Sequence, residues 1–149
     1  MGKTLGYMIT WTTYGTWLQG DKRGYVKKGR TLPGNKSLRD SNTRLQSQDA
    51  IWLSPDQQQI VREAIIREAV SHGQRMYALT VQSNHVHLVV EYSHLPIGTI
   101  VAYYKKAGRL TLKATNQSGK LWTRGYDKRY CFDREALDQR IRYVQDHNT

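Results

Sequence analysis

The sequence has one cysteine, three prolines and no long hydrophobic run among its 149 residues. A lone cysteine, Cys131, excludes an internal disulfide and a zinc site built from several cysteines, so we expect it to be inert packing. A membrane-spanning helix needs roughly 18 consecutive apolar residues, and a signal peptide needs an apolar stretch after a basic start; neither is present. We therefore expect one soluble, cytoplasmic domain over residues 1–149 with no membrane partner.

Acidic residues are scarce, since 12 Asp and Glu oppose 23 Lys and Arg, for a formal net charge of +11. The excess lies in two blocks, residues 19–50 with a net charge of +5 and residues 95–132 with a net charge of +7. Such segregation indicates a nucleic-acid partner, although solvated basic loops remain the alternative. Composition alone does not distinguish DNA from RNA.

Hydrophobic periodicity and capping signals predict the secondary structure. The expected order is a strand over 7–14, a basic loop at about 19–50, a helix from Ser54 to Gly73, strands at 76–81 and 85–92, a helix from Pro96, a weak strand within 121–132, and a helix from Asp133 to about 147. This order predicts an α+β fold, specifically a ferredoxin-like antiparallel sheet with helices on one face.

The segment His85-Val86-His87 lies in the strand predicted over 85–92. Alternate side chains of a strand share a face, so Val86, Leu88 and Val90 should pack under the helices while the two histidines point the other way. Their Cβ atoms should then lie about 6–7 Å apart, a spacing at which two imidazoles can bind one divalent cation. A pair of surface histidines is the alternative.

The last predicted helix has an apolar stripe at Leu137, Ile141 and Val144. Tyr143 lies about 160° from Ile141 around the helix, and His147 follows Tyr143 by one turn on the same face. A tyrosine that the core does not need can be a nucleophile beside a metal ligand, and an exposed tyrosine on an amphipathic helix is the alternative.

A phenol has a pKa near 10, so it is a poor nucleophile at neutral pH without assistance. A divalent metal on nearby histidines can polarise a phosphodiester and position its phosphorus for attack. Attack by the tyrosine oxygen leaves a phosphotyrosine that keeps the energy of the phosphodiester, so the strand can be rejoined without ATP. Tyr126 and Tyr130, in the basic region before the helix, are the rival nucleophiles.

Three segments resemble the single-tyrosine transposases among the HUH endonucleases. They are WTTYGTWL at 11–18, SNHVHLVV at 83–90 and RYVQDHN at 142–148, in the family's order and spanning almost the whole chain. Most narrowly, the sequence is similar to the REP-associated tyrosine transposases. The resemblance implies a metal-dependent single-stranded DNA endonuclease and strand transferase that recognises a hairpin and cleaves through a 5′-phosphotyrosine intermediate.

Residue by residue, the resemblance implies that His85 and His87 bind the metal, that Tyr143 is the nucleophile and that His147 is the third ligand. Mg²⁺ or Mn²⁺ is the expected metal, and imidazole ligands favour Mn²⁺ in affinity. The chain stops two residues after His147, where relatives commonly continue, so we expect the last turn to be frayed and the third ligand poorly fixed.

Single-stranded DNA with a hairpin is the implied partner, in a bacterial cytoplasm and associated with the nucleoid; a homodimer is compatible with the sequence. Lys105, Arg109 and Lys113 recur every four residues, which predicts a cationic line for phosphate contacts, with a solvated helix face as the alternative. Trp17, Tyr25 and Trp122 are candidates for stacking on unpaired bases. The full set of expected DNA contacts is Lys105, Lys106, Arg109, Lys113, Trp17, Arg23, Lys27 and Lys28.

Two other functions remain open at this point. One is a nucleic-acid-binding protein on the same scaffold without catalysis; an RNA-recognition fold would suit the element order, but the aromatic signature expected on its third strand is replaced by His85-Val86-His87. The other is a replication or plasmid-transfer nickase, which shares the His-x-His motif. The short chain and the early Trp-Thr-Thr-Tyr-Gly-Thr run argue against a nickase. Covalent trapping of DNA on Tyr143 separates an active enzyme from a binding protein.

Overall fold

The computed structural model describes residues 3–16, 49–115 and 119–147. Within these ranges the chain forms the strands and helices predicted from the sequence, including the weak strand before the last helix. In chain order they are β1 (Gly6–Thr12), α1 (Pro55–His72), β2 (Met76–Val81), β3 (His85–Glu91), α2 (Ile97–Lys113), β4 (Asp127–Cys131) and α3 (Arg134–Asp146). The basic loop predicted at about 19–50 lies almost entirely outside the described residues.

The four strands form one sheet in the order β2–β3–β1–β4. Each neighbouring pair is antiparallel, with His87 of β3 placed between Thr10 of β1 and Thr80 of β2. The connections β1–α1–β2 and β3–α2–β4 each leave room for one strand between their ends, which is the split β-α-β arrangement. The α+β class and the ferredoxin-like antiparallel sheet are therefore confirmed.

The helices differ from the prediction in one respect, because they cover both faces of the sheet. Ile9 and Leu88 belong to the core formed with α1 and α2, whereas Met8 and Val89 pack with Leu137 of α3 on the opposite face. The expectation of helices on one face holds for α1 and α2 but not for α3. The physical reason lies in β1, where every residue is buried, so both of its faces need cover.

The helices begin and end at the signals that the sequence carries. Ser54 and Gln57 form a reciprocal capping box at the start of α1, and Gly73 ends that helix with a φ of 65°. The Asp133 carboxylate accepts a hydrogen bond from the backbone N–H of Ala136 at 2.8 Å and thereby caps α3. None of the helices in the described ranges is long and apolar enough to cross a membrane.

Cys131, at the end of β4, is fully buried in the core under α3. Burial raises the pKa of its thiol, which keeps the thiol protonated and unreactive. The predicted packing role of this cysteine is confirmed.

Candidate active site

His87 lies on the face of the sheet that α3 covers, and its side chain is only 5% exposed. It faces Thr10 on β1 and Thr80 on β2, and side chains at directly paired positions point to the same face of a sheet. The Thr10 hydroxyl lies 2.8 Å from Nδ1 of His87 in a buried hydrogen bond. Nε2 is thus the imidazole nitrogen left for a ligand.

His85 lies two residues earlier on the same strand and the same face, with 4.5 Å between the two imidazole centroids. Its Nδ1 donates to the side-chain oxygen of Asn84 at 2.8 Å, which leaves Nε2 with a lone pair. That Nε2 is buried and has no hydrogen-bond partner among the described residues. A buried polar atom without a partner is costly, and a ligand would remove that cost.

Both histidines are neutral at physiological pH. Burial lowers the pKa of His85 to about 4 and the pKa of His87 to about 3, since the charged imidazolium loses its hydration. Repulsion between the imidazoles contributes to these lowered pKa values: His147 acts on His85, and His85 and then His147 act on His87. Neutral imidazole is the form that binds metals, so the pair needs no deprotonation at neutral pH.

The last turn of α3 brings Tyr143 and His147 to these two histidines. The Tyr143 ring lies 5.8 Å from His87 and 4.4 Å from His147, and the His147 ring lies 5.1 Å from His87, all between centroids. Tyr143 remains 45% exposed, so a large substrate can reach its hydroxyl. The four residues that the sequence predicted as the site therefore lie together.

Two side chains from the β2 region hold the end of α3, and sequence reasoning missed both. The Thr80 hydroxyl donates to the Val144 carbonyl at 2.7 Å, and the Gln82 side-chain amide donates to the His147 carbonyl. The last carbonyls of a helix have no hydrogen-bond donor within the helix, and these two side chains provide the missing donors. The turn that we expected to be frayed is fixed to the sheet next to Tyr143.

The donor set fits a divalent cation in part. His85 and His87 are adjacent and neutral, and the buried Nε2 of His85 lacks a partner among the described residues. His147 donates its Nδ1 proton to the Tyr143 carbonyl at 2.7 Å, so in the neutral imidazole Nε2 is the nitrogen that carries the lone pair. In the part of the chain described, however, no three His, Cys, Asp or Glu side chains are arranged to hold one metal ion together.

The two rival tyrosines lie on the other side of the sheet. Tyr130 pairs with Tyr7 across β1 and β4, and Tyr7 belongs to the core under α1 and α2. Tyr126 packs against that same core. Neither ring lies on the histidine face of the sheet, so of these three tyrosines Tyr143 is the one beside the histidines.

Comparison with known proteins identifies the family of this chain. The family model for IS200-like transposases matches residues 47–147, which include both histidine positions of β3 and all of α3. The chain belongs to the IS200-like transposase family. This confirms the family resemblance that the three sequence motifs indicated.

Two solved structures are similar to this IS200-like transposase, and the first of them shares its fold. One is a REP-associated tyrosine transposase bound to a REP hairpin, with 11% identity, a TM-score of 0.56, and coverage of 99% of this chain and 68% of that chain. The other, a candidate transposase from Deinococcus radiodurans R1, has 16% identity and a TM-score of 0.49, with coverage of 100% and 95%. No curated protein matches the chain.

The residues expected to contact DNA fall into three groups in this family member. Lys106, Arg109 and Lys113 are exposed on α2, as a phosphate-binding face requires. Lys105 is half-buried and donates from Nζ to the carbonyls of Thr123 at 3.0 Å and Gly125 at 2.7 Å. The remaining four, together with Tyr25, lie outside the described residues: Trp17, Arg23, Lys27 and Lys28.

Trp122 has a structural position, whereas the sequence suggested base stacking. Its indole N–H donates to the Lys105 carbonyl at 2.8 Å, and its ring meets buried Trp11 edge-on at 5.8 Å between centroids. Since both the polar and the apolar parts of the side chain are used within the fold, Trp122 joins α2 to β1. Trp11 itself is fully buried in the core under α1 and α2.

We expect Thr10→Val to lower the free energy of unfolding by about 1–3 kcal/mol, because the isosteric change leaves Nδ1 of buried His87 without its partner. Urea denaturation monitored by circular dichroism measures the loss. Thr10→Ser keeps the hydroxyl and should lose less. If the valine variant is as stable as the wild type, the bond between Thr10 and His87 does not contribute to stability.

Proposed function

We propose that the protein is a metal-dependent single-stranded DNA endonuclease and strand transferase that recognises a hairpin and cleaves through a 5′-phosphotyrosine on Tyr143. The observation that carries the proposal is the position of Tyr143, exposed and next to two of three clustered histidines. Membership of the IS200-like transposase family supports the reaction class and favours it over a replication nickase.

In the proposed reaction the Tyr143 oxygen attacks the phosphorus of a phosphodiester. A bond forms between that oxygen and phosphorus, and the bond from phosphorus to the 3′ oxygen of the upstream nucleotide breaks. The phenol proton is released to solvent and the departing 3′ oxygen gains one, so the products are a free 3′-hydroxyl and a 5′-phosphotyrosine. Attack by another 3′-hydroxyl on the phosphotyrosine rejoins the strand without ATP.

The residues of this chain prepare that attack. Thr80 and Gln82 fix the end of α3, so Tyr143 needs little ordering before it reacts. His85 and His87, with His147 as a third ligand, would hold Mg²⁺ or Mn²⁺. The bound cation would supply positive charge that polarises the phosphodiester. The low pKa of each β3 histidine keeps the pair ready to bind a cation at neutral pH.

Hairpin DNA is the proposed partner for two reasons. The structure that shares this fold with a TM-score of 0.56 is of a protein bound to a REP hairpin. The exposed cations of α2 and the net charge of +11 also suit a polyanion. A homodimer and a location in the bacterial cytoplasm with the nucleoid stay predictions.

Covalent trapping tests the proposal. The protein is mixed with a single-stranded oligonucleotide that carries a hairpin, in Mg²⁺ or Mn²⁺, and the products are separated under denaturing conditions. With a 5′ label, the labelled fragment should end in a 3′-hydroxyl and stay free of protein; with a 3′ label, the label should migrate with the protein. Protein-free 3′-labelled product would contradict a tyrosine-linked intermediate.

A DNA-binding protein without catalysis on the same scaffold is the second candidate. The observation that favours it is that no three potential ligands in the described ranges are arranged around one metal position. The trapping experiment separates the two functions, because a binding protein shifts the hairpin in a native gel but forms no covalent product.

Counterion release makes the salt dependence of binding a measure of phosphate contacts. Charge reversal of Lys106, Arg109 and Lys113 together should reduce the slope of log K against log salt by about 2 to 3, since each lost contact removes about 0.7–0.9. Fluorescence anisotropy between low and moderate salt measures the slope. Arg67→Glu, an exposed change on α1, is the control and should leave the slope nearly unchanged. An unchanged slope in the triple variant would place the DNA elsewhere.

A further inference from the structure

Three exposed aromatic side chains lie at the end of β3 and along the edge strand β4, and buried Tyr7 links them. Tyr92 is 47% exposed, Tyr130 is 44% exposed and Phe132 is 58% exposed. The ring centroid of buried Tyr7 lies 6.1 Å from that of Tyr92 and 5.7 Å from that of Tyr130. Tyr130 in turn stacks with Phe132, with 5.9 Å between the ring centroids and an angle of 24° between the ring planes. We call Tyr92, Tyr130 and Phe132 the edge aromatic surface.

The edge aromatic surface lies on the opposite face of the sheet from His87. Tyr130 pairs with Tyr7, whose ring belongs to the core under α1 and α2, whereas His87 pairs with Thr10 on the α3 face. Among the described strands β4 lies at the edge of the sheet and pairs with β1, and its residues are exposed except for Cys131. A ligand on these rings would therefore not compete with a substrate at Tyr143.

The charge beside the rings is positive where a ligand would approach. Lys128 places its ammonium 5.7 Å from the Tyr130 ring centroid, in a cation–π arrangement. The neighbouring carboxylates already have partners, since Asp127 pairs with Arg129 at 3.5 Å and Asp133 caps α3. The local chemistry is thus exposed π faces next to a cation.

An exposed aromatic cluster indicates an interaction surface. Rings that lie in water lack the favourable free energy of burial, and contact with a partner would provide it. Unpaired nucleobases suit the edge aromatic surface, since every base has a π face that can stack on a ring. The phosphate backbone of the strand also carries the negative charge that Lys128 attracts. A duplex suits it less, because paired bases are already stacked on each other. Resting on the proposed function, we infer that the edge aromatic surface stacks on unpaired bases of single-stranded DNA, as a second contact separate from the catalytic face.

The test compares the affinity of a short, unstructured DNA oligonucleotide for variants of the intact chain, measured by fluorescence anisotropy. Phe132→Ala and Tyr130→Ala should each weaken binding about tenfold. Phe132→Leu keeps an apolar side chain without a π face and should stay weak, whereas Phe132→Trp should restore binding. Trp52→Ala is the matched control, because it removes a ring that is 62% exposed and that precedes α1, and it should bind as the wild type does.

Position is tested directly by photocrosslinking an oligonucleotide that carries 5-iododeoxyuridine, with the crosslinked peptide identified by mass spectrometry. A crosslink at Tyr130 or Phe132 supports the inference. Unfolding curves for each variant test whether weaker DNA binding comes from loss of the fold. We expect no such loss, because these side chains are exposed.

Several outcomes would overturn the inference. They are wild-type affinity in both alanine variants, full affinity in Phe132→Leu, an equal loss in Trp52→Ala, or tighter binding of an RNA of the same sequence. A change of oligomeric mass in the alanine variants without a change in DNA affinity would assign the rings to a protein contact. Covalent trapping separates failure here from failure of the proposed function: a wild type that forms the Tyr143 adduct while both alanine variants keep wild-type affinity would refute only this inference, and a wild type that neither binds nor cleaves DNA would refute both.

Discussion

Tyr143→Phe is expected to bind hairpin DNA with the affinity of the wild type and to form no covalent adduct and no cleaved product. The change removes only the oxygen that would attack phosphorus and keeps the ring that lies beside His87 and His147. Because Tyr143 is 45% exposed and lies off the apolar stripe of α3, the free energy of unfolding should change by no more than about 0.5 kcal/mol. Denaturing gels with 3′-labelled DNA measure the adduct, and native gels measure binding.

Tyr130→Phe and Tyr126→Phe are the matched controls, and both should retain the adduct. The rings of Tyr130 and Tyr126 belong to the α1 and α2 side of the sheet, away from His87. Mass spectrometry of the protease-digested adduct assigns the linked residue. DNA on Tyr126 or Tyr130, or an adduct that persists in Tyr143→Phe, would overturn the assignment of the nucleophile.

Removal of either β3 histidine should have a similarly large effect on cleavage. A bound cation contributes several kcal/mol to a phosphoryl-type transition state, which corresponds to a loss of roughly 10²–10⁴-fold in rate. We expect the cleavage rates of His85→Ala and His87→Ala to fall by a factor in this range or more. The affinity for hairpin DNA should stay near that of the wild type. EDTA should abolish cleavage by the wild type to the same extent, and added Mn²⁺ should restore it.

The two substitutions should differ in stability, which helps to separate chemistry from folding. His87 is 5% exposed and bonded to Thr10, so His87→Ala leaves a cavity and an unpaired hydroxyl, whereas His85 is less buried. His72→Ala, on α1, is the control and should cleave normally. If both β3 variants cut DNA at the wild-type rate in EDTA, these histidines do not hold a catalytic metal.

Local signals in the sequence determined the elements and their ends. The helix ends can be predicted from the sequence because their capping bonds join residues only a few positions apart. Examples are the caps at Ser54 with Gln57, at Gly73 and at Asp133. Alternation along β3 likewise predicted that His85 and His87 share a face, because that periodicity is a property of one strand. The three motifs indicated the family, which the match over residues 47–147 confirmed.

Only the tertiary structure decided what surrounds those residues. The neighbours of His87 depend on the register of β1 and β2, which places Thr10 and Thr80 beside it from positions far away in the sequence. The position of α3 over these residues goes with the burial of β1 on both of its faces. No local sequence pattern predicts that burial. Lys105 matched the helical spacing of a phosphate contact, yet its ammonium bonds to carbonyls of the chain before β4. Contacts across a sheet and between a helix and a distant segment arise from packing of the whole chain, so residue spacing alone does not encode them.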